Sequence, residues 1–233
     1  MNVLITGAGR GLGYQLTEQA VLRGHFVIAC VRGGIEASES LQALAREHTD
    51  RLRIESLDVT QEEQVSRLNE QLREDSIELS GIINNAGILL GREHKIASLP
   101  MQQLRMTLDV NLLGPMIVAK HLSSLLSEHA NAKILNISSE AGSFAGAYGG
   151  DYAYALSKSA LNMFSKQLGD ELRPRGVRVL AVHPGWIRTD MGGDNAPNSA
   201  TDSALGILGL LEGTTPIAEQ LFFVDHLGKE MPL

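Results

Sequence analysis

Short apolar runs alternate along the chain with longer segments in which apolar residues recur at helical spacing. The short runs are rich in Val, Ile and Leu, which is typical of interior strands. Strands are therefore predicted at residues 2–6, 26–31, 52–57, 81–84, 133–137, 177–182 and 221–224. Helices are predicted at residues 12–24, 36–47, 61–74, 99–127, 152–172 and 201–211. Strands that alternate with helices in this way predict a single α/β domain over residues 1–233.

The helix predicted at residues 99–127 contains a polar interruption. Asn111 lies among apolar residues, and the pair Gly114-Pro115 follows it. Because a proline removes one helical hydrogen bond and crowds the preceding turn, a local distortion is predicted here. The Asn111 amide either satisfies the broken helix or has a catalytic role, and the sequence leaves both interpretations open.

Composition limits the classes of protein that the chain can belong to. With 233 residues, 43% of them hydrophobic, and a mean hydropathy of -0.02, it can bury one large core. A net charge of -7 argues against a nucleic-acid surface. The single cysteine, Cys30, lies in an apolar run and is expected to be a buried strand residue. The sequence has neither a basic leader nor about 18 consecutive apolar residues, so a cytoplasmic protein with no membrane partner is expected, and no metal site.

The first predicted strand leads into a glycine-rich turn with the spacing TGxxxGxG. Gly7, Gly9, Gly11 and Gly13 lie between this strand and the next helix, and Leu12 occupies the last glycine position of the commoner GxGxxG pattern. Glycines let the backbone approach a pyrophosphate, and the helix N-terminus presents free N–H groups to it. The turn therefore predicts a dinucleotide site.

Two arginines bear on the choice of dinucleotide. Arg32 follows the second strand, where an acidic residue would bind the ribose hydroxyls of NAD, and Arg10 lies within the glycine turn. An arginine in that region accommodates a 2′-phosphate. NADP(H) is therefore favoured over NAD(H), with two merely solvated arginines as the alternative.

The third and fourth strands also end in residues suited to a nucleotide. Asp58 suits contact with an adenine amino group, or Asp58 or Thr60 caps the next helix, and both interpretations stay open. Asn85, Ala86 and Gly87 follow the fourth strand, where small residues let a cofactor cross the sheet edge. Simple turn chemistry is the alternative for this segment.

A hydroxyl, a phenol and an ammonium group follow the fifth strand. Tyr154 and Lys158 are four residues apart in a predicted helix and so share one face. A phenol with a pKa near about 10 exchanges protons near neutrality only if a nearby positive charge favours the phenolate, and Lys158 is placed to supply it. This pair alone also occurs by chance on exposed helices. Ser138 and Ser139 precede it and are candidate turn hydroxyls.

The segment after the sixth strand is expected to close the site. His183 is predicted to be structural, and Trp186 either lines the site or packs. Residues 191–199 are rich in Gly, Asn and Pro and predict a short lid.

Taken together, these motifs resemble the short-chain dehydrogenase/reductase family over essentially the whole chain and in the same order. Within that family, the segments GDYAYALSKSALNM, HPGWIRTDMGG and FFVDHLGKEMPL resemble C-factor and sniffer-like carbonyl reductases. The resemblance implies a doubly wound Rossmann-type domain with a mostly parallel sheet of about seven strands.

The resemblance also implies roles for individual residues. Tyr154 would donate the proton, Ser139 would hold the substrate oxygen, and Asn111 would anchor a water molecule. Lys158 would bind the nicotinamide ribose and favour ionisation of Tyr154. The implied cofactor contacts further include Asp58, Val59, Asn85, Ala86, Gly87, the turn Pro184-Gly185, Ile187 and Thr189.

The function expected from the residues and the resemblance is NADP(H)-dependent interconversion of a small neutral carbonyl compound and its alcohol. The alternative is a dinucleotide-binding signalling or regulatory protein with little catalytic role. A homodimer or homotetramer that pairs through the two long helices is also expected.

Overall fold

Within residues 1–128 and 131–233, which the computed structural model describes apart from the side chains of Ile35 and Ala37, seven parallel strands form one sheet. The order across the sheet is β3-β2-β1-β4-β5-β6-β7. The strands are β1 (Asn2–Thr6), β2 (Phe26–Val31), β3 (Leu52–Ser56), β4 (Gly81–Asn84), β5 (Lys133–Ile137), β6 (Arg178–His183) and β7 (Phe223–Asp225). The fold class expected from the sequence is confirmed.

Helices cover both faces of the sheet. They are α1 (Gly11–Leu22), α2 (Glu39–Glu47), α3 (Glu62–Glu74), α4 (Met101–Leu108), α5 (Gly114–Leu122), α6 (Tyr152–Leu172) and α7 (Ala200–Glu212). Successive strand residues point to opposite faces, so Val3 and Ile5 join one apolar core and Leu4 joins the other. The first core includes residues of α1, α2 and α7, and the second includes residues of α3, α5 and α6.

Chain order reverses between β1 and β4, which are neighbours in the sheet although β2 and β3 intervene in sequence. In an open parallel sheet, ligands bind at the carboxyl ends of the strands on either side of such a switch point. The segments that follow β1 and β4 are the glycine turn and Asn85-Ala86-Gly87, so both lie at this position.

The long helix predicted at residues 99–127 is divided and shorter than expected. A π-helical segment, Asp109–Leu113, separates α4 from α5, which confirms the predicted distortion around Asn111. The prediction that helix continues to residue 127 is wrong, because α5 ends at Leu122 and the chain soon becomes extended. There the backbone bonds to Leu79, whose N–H donates to Leu125 O at 2.8 Å.

The helix predicted from residue 36 begins later than expected, at Glu39. A 3-10 turn, Gly34–Ala37, precedes it. The Ser38 hydroxyl accepts from the Leu41 N–H at 3.2 Å and so defines the start of α2. No helix in the described part of the chain is long and apolar enough to span a bilayer.

Candidate active site

The glycine turn is packed so tightly that two of its positions require glycine. Gly7 has a φ of +66°, in the left-handed region. A Cβ atom on Gly13 would lie 2.0 Å from the carbonyl oxygen of Gly7 and 2.5 Å from Asn85 Nδ2. The first turn of α1 therefore lies directly against the end of β1.

The N-terminus of α1 is free to bind an anion. Its N-cap residue is Arg10, whose guanidinium Nη1 turns away to Asp190 Oδ2 at 2.6 Å. The first internal helical bond runs from the Tyr14 N–H to Arg10 O, so the N–H groups of Gly11, Leu12 and Gly13 precede it. These donors, together with the helix dipole, suit a pyrophosphate.

Asn85 joins the glycine turn to the end of β4. Its Nδ2 donates to the carbonyl oxygens of Thr6 and Gly7 at 3.0 and 3.1 Å. In return, the Thr6 hydroxyl accepts from the backbone N–H groups of Asn85 and Ala86, both at 3.1 Å. Four hydrogen bonds thus connect the two strands at the switch point.

Arg32, directly after β2, is exposed and has neither an ion pair nor a hydrogen bond with any described residue. An unpartnered guanidinium beside the glycine turn can bind a phosphate. Arg10 is less available to bind a phosphate, because it forms an ion pair with Asp190. Both side chains of this pair are about four-fifths exposed (80% and 79%).

Asp58 and Val59 follow β3. The Asp58 carboxylate Oδ1 accepts from Thr60 N at 3.0 Å and Thr60 Oγ1 at 2.7 Å, which closes a local turn. The capping interpretation is wrong, because the N-cap residue of α3 is Gln61 and the bonds of the Asp58 carboxylate stay within this turn. Only the Asp58 backbone N–H reaches the helix, where it donates to Gln64 Oε1 at 2.8 Å. Val59 is buried, and a Cβ on Gly114 would lie 2.7 Å from its Cγ2, so Val59 packs against the start of α5.

Tyr154, Lys158 and Ser139 meet near the end of β5. The Lys158 side chain is buried, lies 5.5 Å from the centre of the Tyr154 ring and donates from Nζ to Ile137 O at 2.7 Å. The Ser139 hydroxyl accepts from Ala141 N at 3.2 Å and also interacts with the Tyr154 phenol. The structure therefore brings the predicted phenol, ammonium and hydroxyl into one site.

Asn111 faces the same site from the π-helical segment. Its Oδ1 accepts from Ile88 N at 2.8 Å, and its Nδ2 donates to Ile88 O at 2.9 Å and to Ser157 Oγ at 3.1 Å. A Cβ on Gly87 would lie 3.4 Å from Asn111 Oδ1 and 3.8 Å from Lys158 Nζ. Gly87 thus lies between Asn111 and Lys158.

Ser138 differs from Ser139 in that it faces the interior. Its hydroxyl donates to Asn162 Oδ1 at 2.6 Å, and it is almost fully buried. His183 is half-buried, and its Nδ1 accepts from Glu140 N at 3.2 Å. Both residues therefore stabilise the segment that presents Ser139.

A buried network of hydrogen-bonded polar side chains joins β4, β5 and α6. Asn84 Nδ2 donates to Asn136 Oδ1 at 2.8 Å, and Asn136 Nδ2 donates to Ser165 Oγ at 2.9 Å. The Ser165 hydroxyl donates to Leu161 O. Sequence reasoning missed this hydrogen-bond network. Asn136, a polar residue inside an apolar strand, was the feature of the sequence that could have indicated it.

The environment of the site changes the acidity of its groups. The pKa of Tyr154 is raised above its ordinary value, chiefly by burial and also by Asp151, although Ser139 and Arg92 act to lower it. Burial lowers the pKa of Lys158 from its ordinary value of 10.5 to about 8. Sequence reasoning expected Lys158 to control the phenol and missed Arg92 and Asp151.

The segment after β6 lies against the glycine turn. Gly185 has a φ of +84°, and Pro184 O accepts from Ser203 Oγ at 2.6 Å. Ile187 is nearly buried and bridges to Asn198. A Cβ on Gly11 would lie 3.4 Å from Thr189 Cγ2, so Thr189 contacts the turn closely.

Hydrogen bonds connect residues 186–199 to one another, and this segment includes the lid predicted at residues 191–199. Trp186 Nε1 donates to Gly192 O at 2.8 Å, and Arg188 Nη1 donates to the carbonyl oxygens of Ala196 and Pro197 at the same distance. The Trp186 side chain packs on this segment and is otherwise exposed.

Among the residues that the structure describes, no group of three His, Cys, Asp or Glu is placed to hold a metal ion.

Comparison with known proteins agrees with this geometry. Residues 1–200 match the profile of the short chain dehydrogenase family. C-signal of Myxococcus xanthus is 37% identical over 152 residues, which are 65% of this chain and 90% of that protein.

Two solved structures share the fold over the full length of the chain. Carbonyl reductase Sniffer of D. melanogaster has a TM-score of 0.91 and 31% identity, with 100% of this chain and 99% of that one covered. An NADPH-bound carbonyl reductase from chicken fatty liver has a TM-score of 0.87 and 27% identity, with 100% and 94% covered. The chain belongs to the short-chain dehydrogenase family of oxidoreductases.

Proposed function

We propose that this protein is an NADP(H)-dependent oxidoreductase that interconverts a small neutral carbonyl compound and its alcohol. The observation that supports the proposal is the meeting of Tyr154, Ser139 and Lys158 beside the free N-terminus of α1. One group of residues can exchange a proton, and the neighbouring turn suits a dinucleotide. Such a pair of sites is what hydride transfer to a carbonyl requires.

The residues that would hold the dinucleotide fit it in shape and charge. The pyrophosphate would lie against the N–H groups of Gly11, Leu12 and Gly13, where a side chain at Gly13 would collide with backbone. Arg32 would bind the 2′-phosphate of NADP(H), because its guanidinium has no partner among the described residues. When bound, the nicotinamide supplies or accepts the hydride.

The chain itself would supply the proton and the oxygen-binding donors. Tyr154 would donate its phenolic proton to the carbonyl oxygen, and the Ser139 hydroxyl would donate a hydrogen bond to that oxygen as negative charge develops. In the reverse direction Tyr154 would accept the proton of the alcohol. Lys158 would hold the nicotinamide ribose, and Asn111 would contribute to proton relay from the π-helical segment.

The surroundings of the site support a neutral, largely apolar substrate. Phe144, Tyr148 and Trp186 are 80%, 62% and 53% exposed in the segments that follow β5 and β6. Aromatic side chains offer contact area to apolar ligands and at most weak attraction to a strongly anionic one.

A regulatory role is the second candidate, and 37% identity to a protein named C-signal favours it. A regulator that only binds the dinucleotide would not need the phenol, the ammonium and the hydroxyl in one place. Their presence together makes the enzyme the better-supported proposal.

The experiment that tests the proposal combines binding with turnover. The protein is titrated with NADPH and with NADH, and oxidation of each is then followed with a panel of small aldehydes and ketones. We expect tighter binding of NADPH and turnover that disappears in Tyr154→Phe. Binding without any turnover would favour the regulatory role, and failure to bind either dinucleotide would refute both.

Arg32→Ala tests the choice of cofactor. Loss of a charge-assisted hydrogen bond is worth about 1.5–3 kcal/mol, so the Kd for NADPH should rise about 10-fold to 100-fold while that for NADH stays unchanged. Arg67→Ala, at an exposed position on α3, is the matched control. An equal loss of affinity for both cofactors would contradict the assignment.

A further inference from the structure

Three ionisable side chains lie at the start of α6. Asp151 is the N-cap residue, Tyr154 follows three positions later, and Lys158 lies one further turn along. Tyr154 and Lys158, four residues apart within the helix, are neighbours on its surface. Asp151, at the helix start, acts on the Tyr154 phenol through its charge.

Asp151 is held in an unfavourable state. Its side chain is 6% exposed, and its backbone has a φ of +46°, in the left-handed region. Its Oδ1 is buried and has no hydrogen-bond partner among the described residues. A buried carboxylate with one unpaired oxygen and a strained backbone is costly, and such features concentrate at functional sites.

Two groups bind the other carboxylate oxygen, Oδ2. Arg92 Nε donates to it at 3.2 Å from the segment that follows β4, and the Tyr148 hydroxyl donates a short hydrogen bond. Arg92 is 62% exposed, whereas Asp151 is buried, so the cation reaches the carboxylate from the surface. The pair joins the segment after β4 to the first turn of the helix that carries Tyr154.

The charges around Tyr154 come from two elements. Lys158 and Asp151 belong to α6, and Arg92 belongs to the segment after β4; the Ser139 hydroxyl, after β5, is neutral. Asp151 raises the pKa of Tyr154 and Arg92 lowers it, while the Asp151 carboxylate raises the pKa of Tyr148. The two members of the ion pair therefore act on the phenol in opposite directions.

We propose that Arg92 and Asp151 are positioning residues for Tyr154: their ion pair fixes the first turn of the helix that carries the phenol, and Arg92 offsets the charge of the buried carboxylate at that helix start. This inference rests on the proposed function of Tyr154 as proton donor. It assigns a catalytic consequence to an ion pair that touches neither the reacting atoms nor the dinucleotide residues described above.

The test compares Arg92→Met, Asp151→Asn and the double variant with the wild type. The first readout is the pH dependence of kcat for alcohol oxidation, in which Tyr154 must accept a proton. Arg92→Met should move the rising limb to higher pH, and Asp151→Asn should move it to lower pH. The double variant, which has lost both charges, should return close to the wild type.

Two controls separate charge from folding. Arg92→Lys keeps the cation and should leave the limb in place, and Arg105→Met removes an exposed cation from α4 and should have no effect. A purely structural ion pair would lower kcat at every pH without moving the limb. Thermal unfolding of each variant shows whether it is folded.

A second readout does not depend on turnover. The phenolate absorbance of Tyr154 is obtained by subtracting a Tyr154→Phe version of each variant, with and without NADP+. The Tyr154 midpoint should move in the same opposite directions. If the midpoints move but no substrate is turned over, the proposed function fails while the effect of the ion pair on Tyr154 stands. Midpoints that stay fixed, or move in the same direction in both single variants, overturn the inference even if the enzyme is active.

Discussion

Lys158 makes the free energy of unfolding depend on pH in a way that one substitution can isolate. Its ammonium group is buried, and its one hydrogen bond to a described residue is to Ile137 O. Burial lowers its pKa from 10.5 to about 8. Lys158→Met keeps the length of the side chain and removes the charge.

The magnitude follows from the difference in pKa between the folded and unfolded chains. Below about pH 8 both states carry the proton, and the folded protein bears the full cost of the buried charge, about 3 kcal/mol. Between about pH 8 and about pH 10.5 the folded state releases the proton while the unfolded state keeps it. The wild type should therefore gain stability relative to the variant as pH rises, by about 2 kcal/mol from about pH 7 to about pH 9.5.

Urea unfolding of both proteins without cofactor, at several pH values over this range, measures the difference. The variant also leaves Ile137 O without its donor, which adds a constant of about 1–3 kcal/mol that does not vary with pH. Tyr154, the titrating neighbour of Lys158, is replaced by Phe in both proteins, so that the remaining groups titrate equally and cancel in the difference. A difference in stability that is flat from about pH 7 to about pH 9.5 would refute a lowered pKa for Lys158.

Two further predictions concern packing. Gly13→Ala places a Cβ 2.0 Å from Gly7 O, so it should lower the free energy of unfolding by about 3 kcal/mol and abolish NADPH binding. Gly146→Ala, which has open space around it, is the control and should change neither thermal unfolding nor NADPH binding. Equal behaviour of the two variants would contradict the tight packing of the turn. Leu156 and Met163 are 56% and 62% exposed on one face of α6, so a second copy of the chain is expected to cover them. The double variant Leu156→Glu, Met163→Glu should therefore be a monomer in light scattering, where the wild type is a dimer or tetramer. A wild type that is already a monomer at micromolar concentration would count against this interface.

Most of the sheet could be predicted because its strands are nearly continuous apolar runs in the sequence. The bounds of β1, β2 and β5 coincide with the predicted ones, and the distortion at Asn111 follows from the Gly-Pro pair after it. The end of α5 was misplaced because it depends on backbone bonds to Leu79, which lies far away in the sequence. Helix propensity depends on the residues of the segment itself, so it does not reveal a partner that lies far away in the sequence.

The part of the site that escaped prediction depends on long-range pairing. Tyr154 and Lys158 are neighbours in sequence, so helical spacing alone places them together. Arg92 and Asp151 lie 59 positions apart, and an arginine in a polar segment resembles any solvated surface residue. The observation that could have drawn attention to Asp151 is its position three residues before Tyr154.

The bond between Asn136 and Ser165 has a geometric consequence for the reaction. Apolar contacts alone would let α6 roll about its axis on the sheet, because such contacts are not directional. This hydrogen bond between β5 and α6, together with those of Lys158 to Ile137 O and of Ser138 to Asn162, fixes the angle of that roll. A roll of about 10° would move a group about 6 Å from the helix axis by about 1 Å, and a displacement of that size can cost about 100-fold in rate. The orientation of Tyr154, the proposed proton donor, thus depends in part on an amide and a hydroxyl that lie three helical turns away from it.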